Sequence, residues 1–404
     1  MSKTINCKKL ILIIILIFLY NKNDKYKIIK ILKIKNLFNK YNLLFKNDNN
    51  ITALFSYYSL LINKYSNKIG IDSKKYPLIS IIIPLYNNKN EYILRSLMSI
   101  EEQTFKNIEI IYIDDFSENN SKFFLNILKL IDKRILLIKN EKNRGILYSK
   151  SLGVKISKGK YVIVIDQDDM FLSKNLLSIL YKNSERYKLD ILQFQSSFLL
   201  EMKEKVKLRP KKKFPEYNSI ITQPKLGEIE NYLNYSLGFT FNLWDKIIKR
   251  NIYLKAINFI GEDLFNTKII QREDHIIMFP LYKIAKRYMR INIDGYLKII
   301  HKSQASKIIN PQKSSLVYDE FTFLYFLHNN TSETEKEKLV FFREFLFIIN
   351  ILKVCIKVNN NKTKLLVLKI CNFSLNSKFI NKSKNNILNF CKKFKKLNTK
   401  MNIK

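Results

Sequence analysis

Cysteine is scarce in this chain, and its placement is as telling as its rarity. The four residues Cys7, Cys355, Cys371 and Cys391 leave the central region without a thiol, and no pair has metal-ligand spacing. That excludes a disulfide framework or a zinc site as the organising principle. Glycine, proline and tryptophan are also rare, at 8, 7 and 1 of 404 residues. Alanine is sparse too, whereas Lys, Asn, Ile, Phe and Tyr are in excess, the composition of an AT-biased coding sequence. This bears on how the charge is read. Acidic residues are outnumbered 34 to 72 by lysine and arginine, giving a formal net charge of +38. So basic a balance invites nucleic acid. The lysines, however, run from end to end, with no helix-for-groove motif, zinc-finger spacing or aromatic RNA-binding signature. The expectation is no nucleic-acid partner and a diffuse positive field that attracts nucleotides, phospholipid head groups or polyprenyl phosphates.

Membrane-spanning length is also lacking at the N-terminus. Leu10 to Tyr20 is one apolar run of eleven residues behind Lys8 and Lys9, where about 17–25 are needed to span a bilayer. The length suits a signal-peptide core of about 7–15 residues, and no small-residue cleavage site follows it. The expectation is a signal-anchor or signal peptide over residues 1–23. It implies membrane association through the N-terminus, with the remainder on the ER or Golgi lumen side of the secretory pathway. Residues 24–75, rich in Lys and Asn, read as a partly helical stem. Residues 311–404 read as a helical, basic extension. Within it the apolar stretch Leu339–Val358 is broken by Arg343, Glu344, Lys353 and Lys357 and is no spanning helix.

Residues 76–310 carry an ordered alternation. Buried-strand patterns at Leu78–Tyr86, Ile108–Ser117, Arg134–Asn140 and Tyr161–Ile165 alternate with helical spacings over Asn90–Gln103, Ser121–Ile131 and Ile146–Ser157. Such alternation predicts an α/β fold with a mostly parallel sheet. Three of these strands end in polar or acidic loops: Pro84-Leu85-Tyr86-Asn87, Asp114-Asp115-Phe116-Ser117 and Asp166-Gln167-Asp168-Asp169. In an open parallel sheet the C-terminal strand ends form one crevice, where ligands bind. Tyr86 offers a ring for a base, and a carboxylate such as Asp115 can accept a base N–H. Three carboxylates within four residues repel unless a cation sits among them, and oxygen-only ligands suit Mg²⁺ or Mn²⁺. A solvated acidic turn is the plain alternative for that loop.

The segments Ser80–Asn87, Ile110–Ser121, Asn143–Val154, Ser157–Phe171, Asn242–Arg250 and Arg272–Ala285 together resemble family 2 glycosyltransferases of the GT-A fold. The resemblance implies that Pro84 and Tyr86 shape a base pocket and that Asp115, or less readily Asp114, reads the base. It implies Asp166 beside the ribose and diphosphate, and Asp168 with Asp169 as ligands of Mn²⁺ or Mg²⁺. Asp274, in the Glu273-Asp274 pair, becomes the general base, with Trp244 and Glu273 on the acceptor side. The family's usual Ala-Arg-Asn is Ser149-Lys150-Ser151 here, which keeps a cation for the nucleotide at Lys150 but loses a bidentate fork. The implied activity is inverting, metal-dependent transfer of a sugar from a nucleotide-sugar donor, UDP-linked by preference, to a hydroxyl of a glycan, protein or lipid-linked acceptor. A helix-start carboxylate favoured by the dipole is the structural alternative for Asp274. A GT-A-like protein that binds nucleotide or glycan without turnover, and a basic membrane-surface protein, are the alternatives for the whole chain.

Overall fold

The computed structural model describes residues 76–300 except 120–124, 126–128, 130–131, 202–205, 210–218, 224–239, 266 and 270–271, together with 319, 322, 323, 326, 327 and 330. The expected anchor, stem, most of the Ser121–Ile131 helix, the four cysteines and the Leu339–Val358 stretch lie outside these residues.

The first half is a repeated strand–helix unit. Strand β1 (Ile79–Leu85) leads to helix α1 (Asn90–Glu101), and β2 (Ile108–Asp114) is followed by β3 (Ile135–Lys139). Helix α2 (Ile146–Ile156) then returns the chain to β4 (Tyr161–Val164). β1, β2 and β4 are buried almost throughout. Their near-continuous isoleucine and valine suit strands covered on both faces. β1 pairs parallel with both β2 and β4, and β2 with β3.

Period-two alternation divides the core into two layers. Ile79, Ile81, Ile83 and Leu85 pack with Ile93, Leu94 and Leu97 of α1, whereas Ile82 joins Leu147 and Val154 of α2 on the opposite face. Gly153 makes the second contact possible, because a Cβ there would lie 2.3 Å from Ile82 Cγ2.

The second half changes pairing. The short β5 (Met170–Phe171) and helix α3 (Leu176–Arg186) precede β6 (Ile191–Glu201), β7 (Val206–Arg209), β8 (Ile221–Thr222) and β9 (Lys246–Lys249). Helices α4 (Arg250–Ile260), α5 (Glu262–Phe265) and α6 (Glu273–Ile284) lead to the long β10 (Arg287–Ile300). All ten strands form one sheet in the order β3-β2-β1-β4-β9-β6-β10-β5, with β7 on β6 and β8 on β10. β9 joins the halves by running antiparallel to both β4 and β6. β10 runs parallel to β6 but antiparallel to β5, with Tyr296 opposite Phe171. The result is an α/β structure on a mixed sheet whose N-terminal part is wholly parallel.

One expectation is overturned. Among the described residues no helix is long and apolar enough to cross a membrane, so a signal-anchored secretory protein is not supported. The physical reason is length: the apolar run Leu10 to Tyr20 has eleven residues in sequence, where about 17–25 are needed to span a bilayer.

Candidate active site

The C-terminal ends of β1, β2 and β4 lie at one edge because the strands are parallel and in register. Leu85 stands opposite Asp114, and the Asp115 N–H donates to Leu85 O at 2.8 Å. The three loops are tied together. The Tyr86 N–H donates to Gln167 Oε1 at 3.0 Å, and the Asn87 N–H to Ser117 Oγ at 2.9 Å. Asn87 and Phe116, with φ of +48° and +66°, hold left-handed backbone at this rim, a conformation non-glycine residues keep only when the surroundings fix it. Pro84 is buried in β1, while Tyr86 is 46% exposed and presents its ring at the mouth.

The two acids that end β2 are more enclosed than their sequence suggests. Asp114 is wholly buried, and its Oδ1 accepts the Ser117 N–H at 2.8 Å. Asp115 Oδ1 accepts from Asn140 Nδ2 and the Arg144 N–H, and its Oδ2 from the Gly145 N–H, each at 2.8 Å. Asp115 therefore docks the start of α2 onto β2. Gly145 precedes that helix with φ of +89°, where an L side chain would be strained.

The acidic loop after β4 is held from several sides. Tyr296 donates its hydroxyl to Asp169 Oδ2 at 2.8 Å and accepts the Asp166 N–H at 3.1 Å. The Ile299 N–H donates to Asp169 Oδ1, and Arg95 of α1 donates to the Asp168 carbonyl. Lys298 Nζ lies 2.8 Å from Asp166 Oδ2 and 3.6 Å from Asp169 Oδ2. Burial works to raise the Asp166 carboxyl, but the Lys298 and Lys150 ammonium groups outweigh it and hold it below the usual range. Burial drives Asp169 the other way, well above that range. Both Asp169 oxygens are engaged within the protein, so it is oriented inward rather than toward the crevice. Asp168 is nearly buried. Among the described residues no three His, Cys, Asp or Glu groups converge on a metal-sized site. The donor set is oxygen only, and Mg²⁺ commonly takes just one or two carboxylates plus substrate phosphates. The loop fits that pattern.

The second acidic pair opens α6. Glu273 and Asp274 sit in its first turn, where the helix dipole favours negative charge. Lys150, on α2 and only 1% exposed, reaches up beneath them, with Nζ 2.6 Å from Asp274 Oδ1 and 3.1 Å from Glu273 Oε1. Desolvation disfavours the Lys150 charge, but Asp274, Glu273 and then Asp166 outweigh it and raise its pKa well above normal. Burial pushes Glu273 up to about 7, against the pull of Lys150. Asp274 Oδ2 accepts the Leu243 N–H at 3.3 Å. The lysine expected at the nucleotide is thus committed to the Glu-Asp pair.

The Leu243-Trp244 segment links the two acidic groups, Leu243 through its N–H to Asp274 and Trp244 through its ring. That ring stacks on Tyr296, with centroids 4.9 Å apart and planes 19° apart, and Lys298 Nζ lies 5.1 Å from it. The Trp244 segment is pinned by buried Lys246, whose Nζ donates to Thr240 Oγ1 at 2.7 Å and the Asn242 carbonyl at 2.6 Å and pairs with Asp245. Sequence reasoning missed Lys298, Tyr296 and Lys246. The available signal was a charged residue inside an apolar strand, as in Tyr296-Leu297-Lys298-Ile299-Ile300.

Comparison with known proteins agrees with this arrangement. Residues 80–236 match the profile described as Glycosyl transferase family 2. Glycosyltransferase GlyG of Streptococcus pneumoniae is 31% identical over 115 residues, 28% of this chain and 38% of that protein. The Escherichia coli UDP-Glc:alpha-D-GlcNAc-diphosphoundecaprenol beta-1,3-glucosyltransferase WfgD is 33% identical over 110 residues, 26% of this chain and 42% of that one. The chain thus spans less than half the length of these two relatives. S. aureus TarS 1-349 in complex with UDP-GlcNAc is similar in fold, with a TM-score of 0.54 at 18% identity over 74% of this chain and 80% of that one.

Proposed function

Because the chain belongs to glycosyl transferase family 2 through residues 80–236, we propose that it transfers a sugar from a nucleotide-sugar donor to an acceptor hydroxyl, with inversion at the anomeric carbon. The carrying observation is that Lys150 ties Asp274 into the crevice whose other wall is the Asp166–Asp169 loop. A UDP-linked donor is favoured by the likeness to WfgD, a UDP-Glc-dependent glucosyltransferase, and to TarS in complex with UDP-GlcNAc.

Pro84 and Tyr86 frame the base, and Asp115, backed by Asp114, sets the β2 end against which it lies. Asp166 faces the ribose and diphosphate. Asp168 would hold Mn²⁺ or Mg²⁺ when one is bound, while Asp169 orients the loop from behind. A divalent ion bound there neutralises charge that develops on the leaving diphosphate. Trp244 and Glu273 border the acceptor. Asp274 takes the proton of the acceptor hydroxyl as its oxygen bonds to the anomeric carbon and the bond to the diphosphate oxygen breaks, the electron pair leaving with the nucleoside diphosphate. Lys150 fixes the direction of Asp274 through their 2.6 Å contact. One base on the face opposite the leaving group suits a single displacement, whereas retention calls for a second, nucleophilic carboxylate.

A thermal-shift titration with UDP, GDP, CDP and their sugar conjugates, each with and without Mn²⁺, tests the reading. A ligand at a hundred times its dissociation constant adds about 2.7 kcal/mol of stability. The expected result is a Mn²⁺-dependent rise in Tm with one nucleotide class, lost in Asp168→Asn. A folded sample that responds to none of them, with or without metal, would refute the assignment.

A further inference from the structure

The loop expected to bind a metal already contains a positive charge. Lys298 Nζ stands 2.8 Å from Asp166 Oδ2 and 3.6 Å from Asp169 Oδ2. The Trp244 ring lies 5.1 Å from the same ammonium. The position follows from the fold: β5 leaves the acidic loop and pairs at once with Tyr296 and Leu297 of β10, which places Lys298 beside the carboxylates. Tyr296 and the Ile299 backbone then hold Asp169 from both oxygens, so that carboxylate cannot turn outward without breaking two bonds.

We propose that Lys298 is a resident cation of the acidic loop, seated on Asp166 and Asp169 beside the position where Asp168 would hold a divalent ion, so that metal binds together with the nucleoside diphosphate and not ahead of it. The proposal rests on the donor-crevice reading above. A divalent ion entering the empty crevice meets an ammonium at contact range and finds Asp166 engaged. A diphosphate brings its own negative charge and oxygen ligands, which offset that repulsion and complete the coordination of a hard cation. The ammonium is also exchangeable, since the Lys298 side chain is 21% exposed where Lys150 is nearly sealed.

The test measures Mn²⁺ binding to the full chain by calorimetry, with and without UDP, GDP or CDP. The wild-type protein is expected to bind Mn²⁺ weakly alone and about tenfold or more tightly with the matching diphosphate. Lys298→Met is expected to tighten Mn²⁺ binding to the nucleotide-free protein by about tenfold or more, and Lys298→Arg to leave it weak. Asp166→Asn in the Lys298→Met background is expected to abolish the gain, because the freed carboxylate is its source. Lys298→Gln removes the same charge with a polar tip and serves if the Met variant does not fold. Equal Mn²⁺ affinity in wild-type and charge-removed proteins, each shown folded by its melting curve, overturns the proposal. If no nucleotide changes anything in any protein, the functional reading fails, while the comparison in nucleotide-free protein still decides whether Lys298 keeps the ion out.

Discussion

The two acidic groups of the crevice are built alike and held differently. Each is a set of carboxylates at the end of a secondary-structure element, and each receives one lysine from an element distant in sequence. Lys150 comes from α2 and is sealed beneath Glu273 and Asp274, whereas Lys298 comes from β10 and stays partly open beside Asp166. A buried charge pair is costly to form and costlier to break on one side, because the remaining charge has no water to turn to. A partly exposed pair is worth little and can exchange partners. The difference suits the two tasks. In the proposed function the base must keep one direction through every cycle, while the diphosphate site must accept and release a highly charged ligand.

The comparison can be broken most forcefully at Asp274. Asp274→Asn should lower transfer by about two to four orders of magnitude, the usual worth of general-base catalysis, while donor binding is kept. Normal turnover in that variant would place the base elsewhere. Lys150→Met comes next, with an expected loss of about 3–5 kcal/mol in urea unfolding, since two largely buried carboxylates lose their cation. Lys298→Met should cost only about 1 kcal/mol in the same assay. Equal losses would erase the distinction between fixed and exchangeable cations. Tyr296→Phe removes the hydroxyl that serves both Asp169 and the Asp166 N–H, for an expected loss of about 1–3 kcal/mol.

The comparison is sharpened further by pH dependence. Glu273 ionises near pH 7 in the folded chain and near 4.5 otherwise, so the folded state binds more protons between those values. Its contribution to stability therefore falls as pH rises from 4.5 to 7. His275, pushed down to about 3 by burial and then by Arg272, acts in the opposite sense. Its contribution is complete above 6.5 and is lost as pH falls toward 3. Glu273→Gln should make stability rise more steeply with pH between 4.5 and 7, and an unchanged slope would mean that Glu273 charges normally.

Much of the first half of the fold was legible. β1, β2 and β4 are short, continuous apolar runs, a pattern that parallel pairing imposes, and their polar or acidic ends pointed to the crevice. The strand β6 and its partners were not legible, because β10 meets β6 in parallel and β5 antiparallel, with register shifts between Arg290 and Tyr296. Those pairings are long-range and leave no local period. The acidic loop was legible as three carboxylates within four residues at a strand end, whereas Asp274 was reached only through the family resemblance. Lys150, Lys246 and Lys298 were harder, since 72 lysines and arginines conceal any particular three. Lys150 was recognised as a family position and assigned to the nucleotide, yet it lies under Asp274. Its burial depends on a close approach of α2 to β1 that composition does not reveal.

That approach makes α2 a rigid strut. Asp115 grips its first turn through the Arg144 and Gly145 N–H groups, Gly153 seats its far end on Ile82, and Lys150 projects between these two fixed points. Asp115, at the proposed base end of the crevice, therefore grips the same beam that carries Lys150, the partner of the proposed proton acceptor. Placement errors at one end are transmitted to the other instead of being absorbed by a loop. A graft that replaces the β2 end to change base preference should carry α2 with it, because the strut and its two seats work as a single part.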